Sequence, residues 1–319
     1  MTTPRPTLLI VGFGQLGMAV HREMLRRDTH DILATTRSLA RAKDMRATFG
    51  IDTLLLRDDA SADDASADDE SAGNTPASDA PAGDASTDGT AVHPASDAPH
   101  SAVDTLRAAV RADTDVVVSF PPDGASDAAF APALRGARRI VYISTTGVFG
   151  AVSGHVDDDT PVDPNDARAA PRLHAEDLWR DVGAIVLRAP AIYSAGSGLH
   201  KRLLAGTHRL VEDGNRHVSR IHVDDLAVLA LAALERAESR STYVVGDHEP
   251  ATQRAVVEFL CARLALPLPP AISASDAPPT LRGNRIVDGS RALRDLGVTL
   301  RYPSYREGYE AVLCDAGHV

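Results

Sequence analysis

Cysteine is almost missing from this chain of 319 residues: only Cys261 and Cys314 occur, with no spacing that builds a metal site or a disulfide framework. A reducing compartment is the inference. Aromatic residues make up 4% against 44% hydrophobic residues overall, so the core must be built from Ala, Val, Leu and Ile, which suits helices packed on a parallel sheet. Long apolar runs are lacking too. The opening "MTTPRPTLLIVGFG" passes from a short apolar stretch straight into glycine, with neither a secretory signal pattern nor the length to span a membrane, so a cytoplasmic protein that makes no membrane contact is expected. A basic excess is also missing. The formal charge is -11, yet residues 58 to 104 alone hold twelve acidic residues and no Lys or Arg, which leaves the remainder close to neutral. No nucleic-acid partner is expected.

That acidic stretch repeats "ASADD" and "PASDAP" and has almost no large apolar side chains. It cannot bury enough surface to offset its ordering entropy, and is read as a disordered insertion in a loop. On either side, strands and helices alternate. "TLLIVGFG" reads as a buried strand, followed by a helix over 15 to 27 with Leu16, Val20 and Leu25 among its apolar positions. "HDILATTRS", "DTLLLRD", "DTDVVVSF" and "RRIVYIS" supply four more strands, with helices near 39 to 49, 103 to 112 and 126 to 137. This alternation predicts an α/β fold, a doubly wound parallel sheet that takes its ligand at the carboxyl ends of the strands.

Within "VGFGQLG", Gly12, Gly14 and Gly17 form G-x-G-x-x-G between strand and helix, with Phe13, Gln15 and Leu16 in the intervening positions. Gly12 permits a tight turn, Gly14 lets a diphosphate approach the backbone, and Gly17 allows close helix packing, so residues 12 to 17 are assigned to a dinucleotide. A chain preferring NAD would usually close its second strand with Asp or Glu, but here Thr36, Arg37 and Ser38 stand there. Hydroxyls and a guanidinium suit the extra 2′-phosphate of NADP. If Arg37 is only a solvated residue at a strand exit, NAD remains open. Phe120, Pro121 and Pro122 end the fourth strand and are expected to wall the cofactor ribose.

"YISTTGVFG" runs from a β-branched segment into the hydroxyls of Ser144, Thr145 and Thr146, which suit either substrate contact or simple capping of a strand end. Together with "GFGQLG", "IVLRAPAIYSAGSG", "SRIHVDDLAVLALAAL" and the close "GNRIVDGSRALRDLGVTLRYPSYREGYEAVL", in this order, it gives a pattern that resembles the NAD-dependent epimerase/dehydratase family. These are extended short-chain dehydrogenases/reductases, and the C-terminal stretch is similar to their atypical members. The resemblance implies a Rossmann domain over 1–57 and 105–188, the insertion at 58–104, and a smaller C-terminal substrate lobe over 189–319 with some segments returning to the Rossmann sheet. Relatives often pair through sheet-flanking helices, so a homodimer is one expectation. It also implies that Thr145 orients a substrate alcohol or carbonyl while a tyrosine exchanges the proton, its acidity raised by a lysine four residues on.

That pair is absent. Counting back from "RLHAE", the lysine position falls on Arg172 and the tyrosine position on Arg168, and an arginine side chain is not a proton carrier in the usable pH range. Pro171 starts a helix near residue 170, which leaves Arg168 in the preceding loop. Arg172 either pairs with Glu176 on an exposed helix face or binds an anionic group of cofactor or substrate. Tyr193 is the candidate replacement acid, with ring packing against the lobe as its other role. Asp224 and Asp225 are expected to cap a helix. Thr145, Arg172 and Tyr193 are thus the catalytic candidates, and no metal site is expected. Two functions fit: an NAD(P)-dependent enzyme of the epimerase/dehydratase or reductase type acting on a small polar, anionic or nucleotide-linked substrate, or a non-catalytic NADP(H) sensor.

Overall fold

The structure is a computed structural model and describes residues 5–56, 101–278 and 283–317. The first half runs β1 (Thr7–Val11), α1 (Gln15–Arg27), β2 (Asp31–Thr36), α2 (Leu39–Phe49), β3 (Asp52–Leu55), α3 (Ala102–Ala109), β4 (Thr114–Val118), α4 (Ala125–Ala133) and β5 (Arg139–Thr145). A 3-10 turn over Thr146–Phe149 leads to β6 (Gly154–Val156), α5 (Ala170–Asp181) and β7 (Ile185–Ala189). Then come β8 (Ala191–Tyr193), α6 (Leu199–Leu204), β9 (Leu210–Val211), β10 (His217–Val218), β11 (Arg220–His222), α7 (Val223–Arg236) and β12 (Thr242–Val244). β13 (Ala251–Thr252), α8 (Gln253–Leu264), β14 (Ala271–Ile272), β15 (Arg285–Val287), α9 (Ser290–Leu296) and α10 (Tyr305–Asp315) complete the described chain.

Seven strands form one parallel sheet in the order β12-β7-β5-β4-β1-β2-β3. β4 and β7 are buried along their whole length because helices cover both faces, which is why they read as unbroken apolar runs. One face packs under α1, α7 and α9, the other under α3, α4 and α5. On the second face Trp179 stacks on Tyr142 at 5.5 Å, and its indole N–H donates to the buried Asp127 carboxylate at 2.8 Å, which ties α5 to α4. A third apolar cluster, with Tyr193, Leu199, Val256, Leu260, Tyr305 and Tyr309, is the core of the smaller lobe.

Two readings change. Leu25 is 62% exposed, because the buried row of α1 is Leu16, Val20 and Met24, four residues apart, and the next position turns about 100° away. The acidic insertion up to residue 100 lies outside the described residues, but its last part is ordered helix. Ser101 accepts the Asp104 N–H at 3.2 Å and α3 starts at Ala102, inside the stretch read as insertion.

α7 follows the first strands of the lobe in sequence yet packs beside α1 on the large sheet. Neither expected aspartate is its N-cap. His222 takes that position, its Nδ1 accepting the Asp224 N–H at 3.2 Å. Asp224 instead reaches Arg22 of α1 at 2.6 Å, and the buried Asp225 accepts the Arg301 and Tyr302 amides at 2.7 and 2.9 Å. Asp225→Ala should therefore cost about 2–4 kcal/mol in urea unfolding, since two amides lose their acceptor. Asp224→Ala, which breaks a solvent-screened pair, should cost no more than about 1 kcal/mol.

Candidate functional site

β1 and β4 are neighbours at the centre of the sheet, and β1 also pairs with β2, so the chain winds outward in both directions from this point. The crevice at the carboxyl ends of these strands is where an open α/β sheet takes a ligand. Each glycine of the loop after β1 has its own reason. Gly12 has φ +92°, and a Cβ there would lie 2.8 Å from the Phe120 backbone nitrogen. At Gly17 a Cβ would press on Phe13 at 3.1 Å and Ile10 at 3.2 Å, so helix α1 sits tight on its strand. Gly14 is the N-cap of α1 and meets nothing within 4 Å.

α1 has no side-chain cap and no acidic residue in its first turn. Its first amides therefore have no side-chain acceptor, and the positive end of the helix dipole lies behind them, a setting that fits a diphosphate. The loop is pinned from both flanking strands. The Gly12 N–H donates to Thr35 Oγ1 at 3.2 Å, and the Ser119 hydroxyl donates to the Gly12 carbonyl at 2.7 Å. Arg41 of α2 adds a hydrogen bond to the Phe13 carbonyl at 2.8 Å. Thr35, Ser119 and Arg41 carry no motif, and only their places after a buried strand or in the first turn of a helix hint at them.

Phe13 and Leu16 are buried, with Phe13 edge-on to His21 and Phe49, so they offer a ligand backbone rather than side chain. Gln15 is exposed at the mouth and accepts the Ser194 hydroxyl at 2.9 Å, which joins the loop to the turn after β8. At the exit of β2, Thr36 Oγ1 accepts the Ser38 N–H at 3.2 Å, and Ser38 caps α2 by accepting the Arg41 N–H at 3.3 Å. Arg37 is 64% exposed on its side chain and spans to the loop after β4, donating to Ser126 at 3.0 Å and lying 3.7 Å from Asp123. Partial burial pushes the Asp123 carboxyl up, but hydrogen bonds from Ser126 and the nearby Arg37 outweigh it and hold it low. Phe120 departs from its expected role. Its ring turns inward, edge-on to Phe130 and Trp179 at 5.9 and 6.3 Å, so its backbone borders the loop and Pro121 and Pro122 follow.

The three hydroxyls after β5 divide their work. Ser144 is buried and donates to Glu176 Oε1 at 2.6 Å. Thr145 is half-buried and caps the 3-10 turn, its Oγ1 accepting the Gly147 N–H at 3.1 Å. Thr146 is buried beside it. Glu176, expected on an exposed face opposite Arg172, is fully buried and held by Arg188 at 2.8 and 3.1 Å and by Arg180 at 2.6 Å. Burial alone would raise its carboxyl, but Arg188, Ser144 and Arg180 together keep it below its ordinary value. Its helical partner is thus the arginine one turn after it, not the one before. Arg172 is half-buried at the start of α5, with no hydrogen bond or ion pair among the described residues, and Arg168 lies exposed in the preceding loop.

Tyr193 does not fit the role of acid. It is 2% exposed, stacks on Tyr309 at 4.4 Å and meets His222 edge-on at 5.2 Å. Its hydroxyl has no hydrogen-bond partner and lies against Gly308 so closely that a Cβ there would collide with it. Burial pushes the phenol up, away from proton exchange at neutral pH. No group of three or more His, Cys, Asp or Glu able to hold a metal ion occurs among the described residues.

A parallel sheet of this order, a glycine loop at its switch point and a small lobe beyond its carboxyl edge define a Rossmann-type fold. The NAD dependent epimerase/dehydratase family matches residues 97–246, just under half of the chain, and the chain is similar to that family over this stretch. It is similar to the 3-diazoavenalumate denitrifying reductase of a Streptomyces species, with 31% identity over 199 residues, 54% of this chain and 64% of the relative. The match thus covers less than two thirds of that relative's length. A conserved protein of unknown function from Silicibacter pomeroyi DSS has the same fold with TM-score 0.70 and 28% identity, over 98% of this chain and 99% of that one. The UDP-glucuronic acid 4-epimerase of Bacillus cereus, solved in complex with NAD, shares the fold alone, with TM-score 0.67 and 14% identity over 97% of this chain and 99% of that one.

Glu176→Gln should destabilise the fold by about 3–5 kcal/mol at pH 7, because Arg188 is left buried without its counter-charge. The carboxyl is held below its ordinary 4.5, so its contribution is fully present above that value and is lost as pH falls through the lower folded-state value. Denaturant unfolding at pH 7 and pH 3 should show the gap between wild type and variant narrowing in acid.

Proposed function

We propose that the chain is an NAD(P)-dependent reductase of the atypical short-chain type, acting on a small substrate whose accepting centre needs no proton from the protein. The observation that carries this reading is the open space over Gly14 at the uncapped start of α1, with Arg41 bonded to the loop at Phe13 and Arg37 at the exit of β2. The first amides of α1 would take the diphosphate, and the two arginines favour the 2′-phosphate of NADP over NAD. A bound nicotinamide dinucleotide supplies a hydride. Thr145 is suited to orienting the acceptor, since the Gly147 amide uses an oxygen lone pair and leaves the hydroxyl hydrogen free to donate.

The missing acid is the informative feature. Arginines stand at the family's tyrosine and lysine positions, and Tyr193 is sealed in the lobe core. Carbonyl reduction leaves an alkoxide that must be protonated, whereas reduction of a diazo group with loss of nitrogen, the chemistry named in the Streptomyces relative, leaves none. An acceptor of that activated kind fits a site without Tyr and Lys. The same absence favours a second reading, an NADP(H) sensor without turnover. A cytoplasmic location is part of the proposal. It is supported by two unpaired cysteines, and no helix among the described residues is long and apolar enough to cross a membrane.

Gly14→Ala should weaken NADPH binding at least about tenfold, with the unfolding midpoint unchanged, since its methyl would enter only the ligand's space. Gly12→Ala should lose both binding and stability, because it adds a clash at a left-handed residue. Arg37→Ala and Arg41→Ala should each weaken NADPH about tenfold more than NADH in calorimetry, on the scale of one charge-assisted hydrogen bond. Equal losses would remove the NADP preference. NADPH oxidation followed by absorbance with arenediazonium salts, aldehydes and ketones decides the rest. Turnover of the first class alone supports the reductase, efficient carbonyl turnover overturns the acid-free scheme, and tight binding with no turnover favours the sensor.

A further inference from the structure

β8 leaves the sheet one residue after the end of β7, and the Ser194 that follows it bonds to Gln15 of the glycine loop. A cavity of about 80 Å³ opens on the lobe side of this strand, with Ile192, Tyr193, Leu199, His208, Arg220 and Tyr309 in its lining. It is small beside the roughly 300–1,000 Å³ of a pocket for a drug-sized molecule. Most of the wall is aromatic or aliphatic.

Arg220 is the anomaly in that wall. It is 4% exposed, yet its guanidinium makes no hydrogen bond or ion pair among the described residues, and Nη1 is fully buried without a partner. The Tyr305 ring lies 5.7 Å from the guanidinium carbon, and the Asp247 carboxyl, pushed up by burial, is close enough to be held down in part by the guanidinium charge without a hydrogen bond between them. Asp247 is the carboxylate that feels its charge, and the two backbones are joined by the Asp247 N–H donating to the Arg220 carbonyl at 2.9 Å. The side chains do not pair, and both Asp247 oxygens are also buried without a hydrogen-bond partner. A buried guanidinium without a paired carboxylate costs several kcal/mol unless a ligand supplies the missing charge.

The other polar groups of the lining leave that task to Arg220. The side chain of Gln253 is committed to the Val211 amide and the Arg209 carbonyl at 2.9 and 3.1 Å. Burial, followed by the charges of Arg202 and Arg209, pushes the His208 imidazole down to about 4, so it is neutral at pH 7. Arg202 stands exposed at the rim.

We propose that this cavity is a carboxylate subsite: Arg220 takes the carboxylate of a small molecule, and the Tyr193, Tyr309, Ile192 and Leu199 walls take its apolar body. One buried planar fork matches the two oxygens of a carboxylate, whereas a phosphate dianion would call for more donors than this wall has free. The occupant is the substrate only if the reductase reading holds, but the site itself does not depend on dinucleotide binding. Arg202 adds a weaker, screened attraction at the mouth.

The test is calorimetry on the full chain without dinucleotide, using phenylacetate, its neutral isostere phenylacetamide, and inorganic phosphate. Phenylacetate should bind at least about tenfold more tightly than the amide, on the scale of a charge-assisted bond. Arg220→Gln should erase that difference. Because removing a buried arginine can unfold the lobe, two milder variants serve beside it: Arg202→Ala should weaken phenylacetate about two- to fivefold by screened attraction. Leu199→Phe, which narrows the cavity, should weaken acid and amide alike. Equal affinity for acid and amide, phosphate displacing phenylacetate at equal or lower concentration, or no effect of either milder variant would overturn the assignment. A chain that binds phenylacetate in this way but fails to bind NADPH would retain the subsite and lose the reductase reading.

Discussion

The Gly12 peptide is held from two sides, its N–H by Thr35 of β2 and its carbonyl by Ser119 after β4. This pair of hydrogen bonds sets the turn between β1 and α1, and the turn aims the uncapped amides of α1 at the crevice. A helix start left without a cap is a local cost in isolation. At the switch point of a parallel sheet it becomes a place for an anion, because strands on both sides diverge and leave room above it. The crowding of Gly12 against Phe120 and of Gly17 against Ile10 shows how little slack the turn has.

A buried charged group stiffens the floor nearby. Glu176 joins α5 to β5 through Ser144 and to β7 through Arg188, and Arg188 also lies over the Phe149 ring at 5.4 Å. Because the carboxylate, two arginines and a hydroxyl satisfy one another, the charge is tolerated in the core. The strand ends that carry Thr145 and lead to β8 are positioned by this set. Arg220 presents the opposite case, a buried cation left without such partners, and that contrast within one chain is the reason to read it as a binding group.

Local signals were legible wherever backbone geometry dominates. The strand and helix alternation, the helix start near residue 170, the tight turn at Gly12 and the close packing at Gly17 could all be read from residue order, because each is set by a local pattern in the chain. Side-chain partners were not. One reading had Glu176 face Arg172 across an exposed helical turn, but the fold turns it inward to Arg188 of β7. Tyr193 looked like an acid near a cofactor until the lobe core closed over it with Tyr309 and Gly308.

The order of residues by itself determined the doubly wound sheet, the glycine turn after its first strand and the absence of the Tyr and Lys pair, since periodicity, glycine spacing and residue identity are written along the chain. Tertiary structure alone decided which hydroxyl caps and which buries, that Arg41, Thr35 and Ser119 build the loop's surroundings, and that Arg220 stands unpaired in a cavity. Those outcomes depend on which side chains meet across long sequence separations, and on burial, which changes the energy of a charge or a phenol without changing its letter.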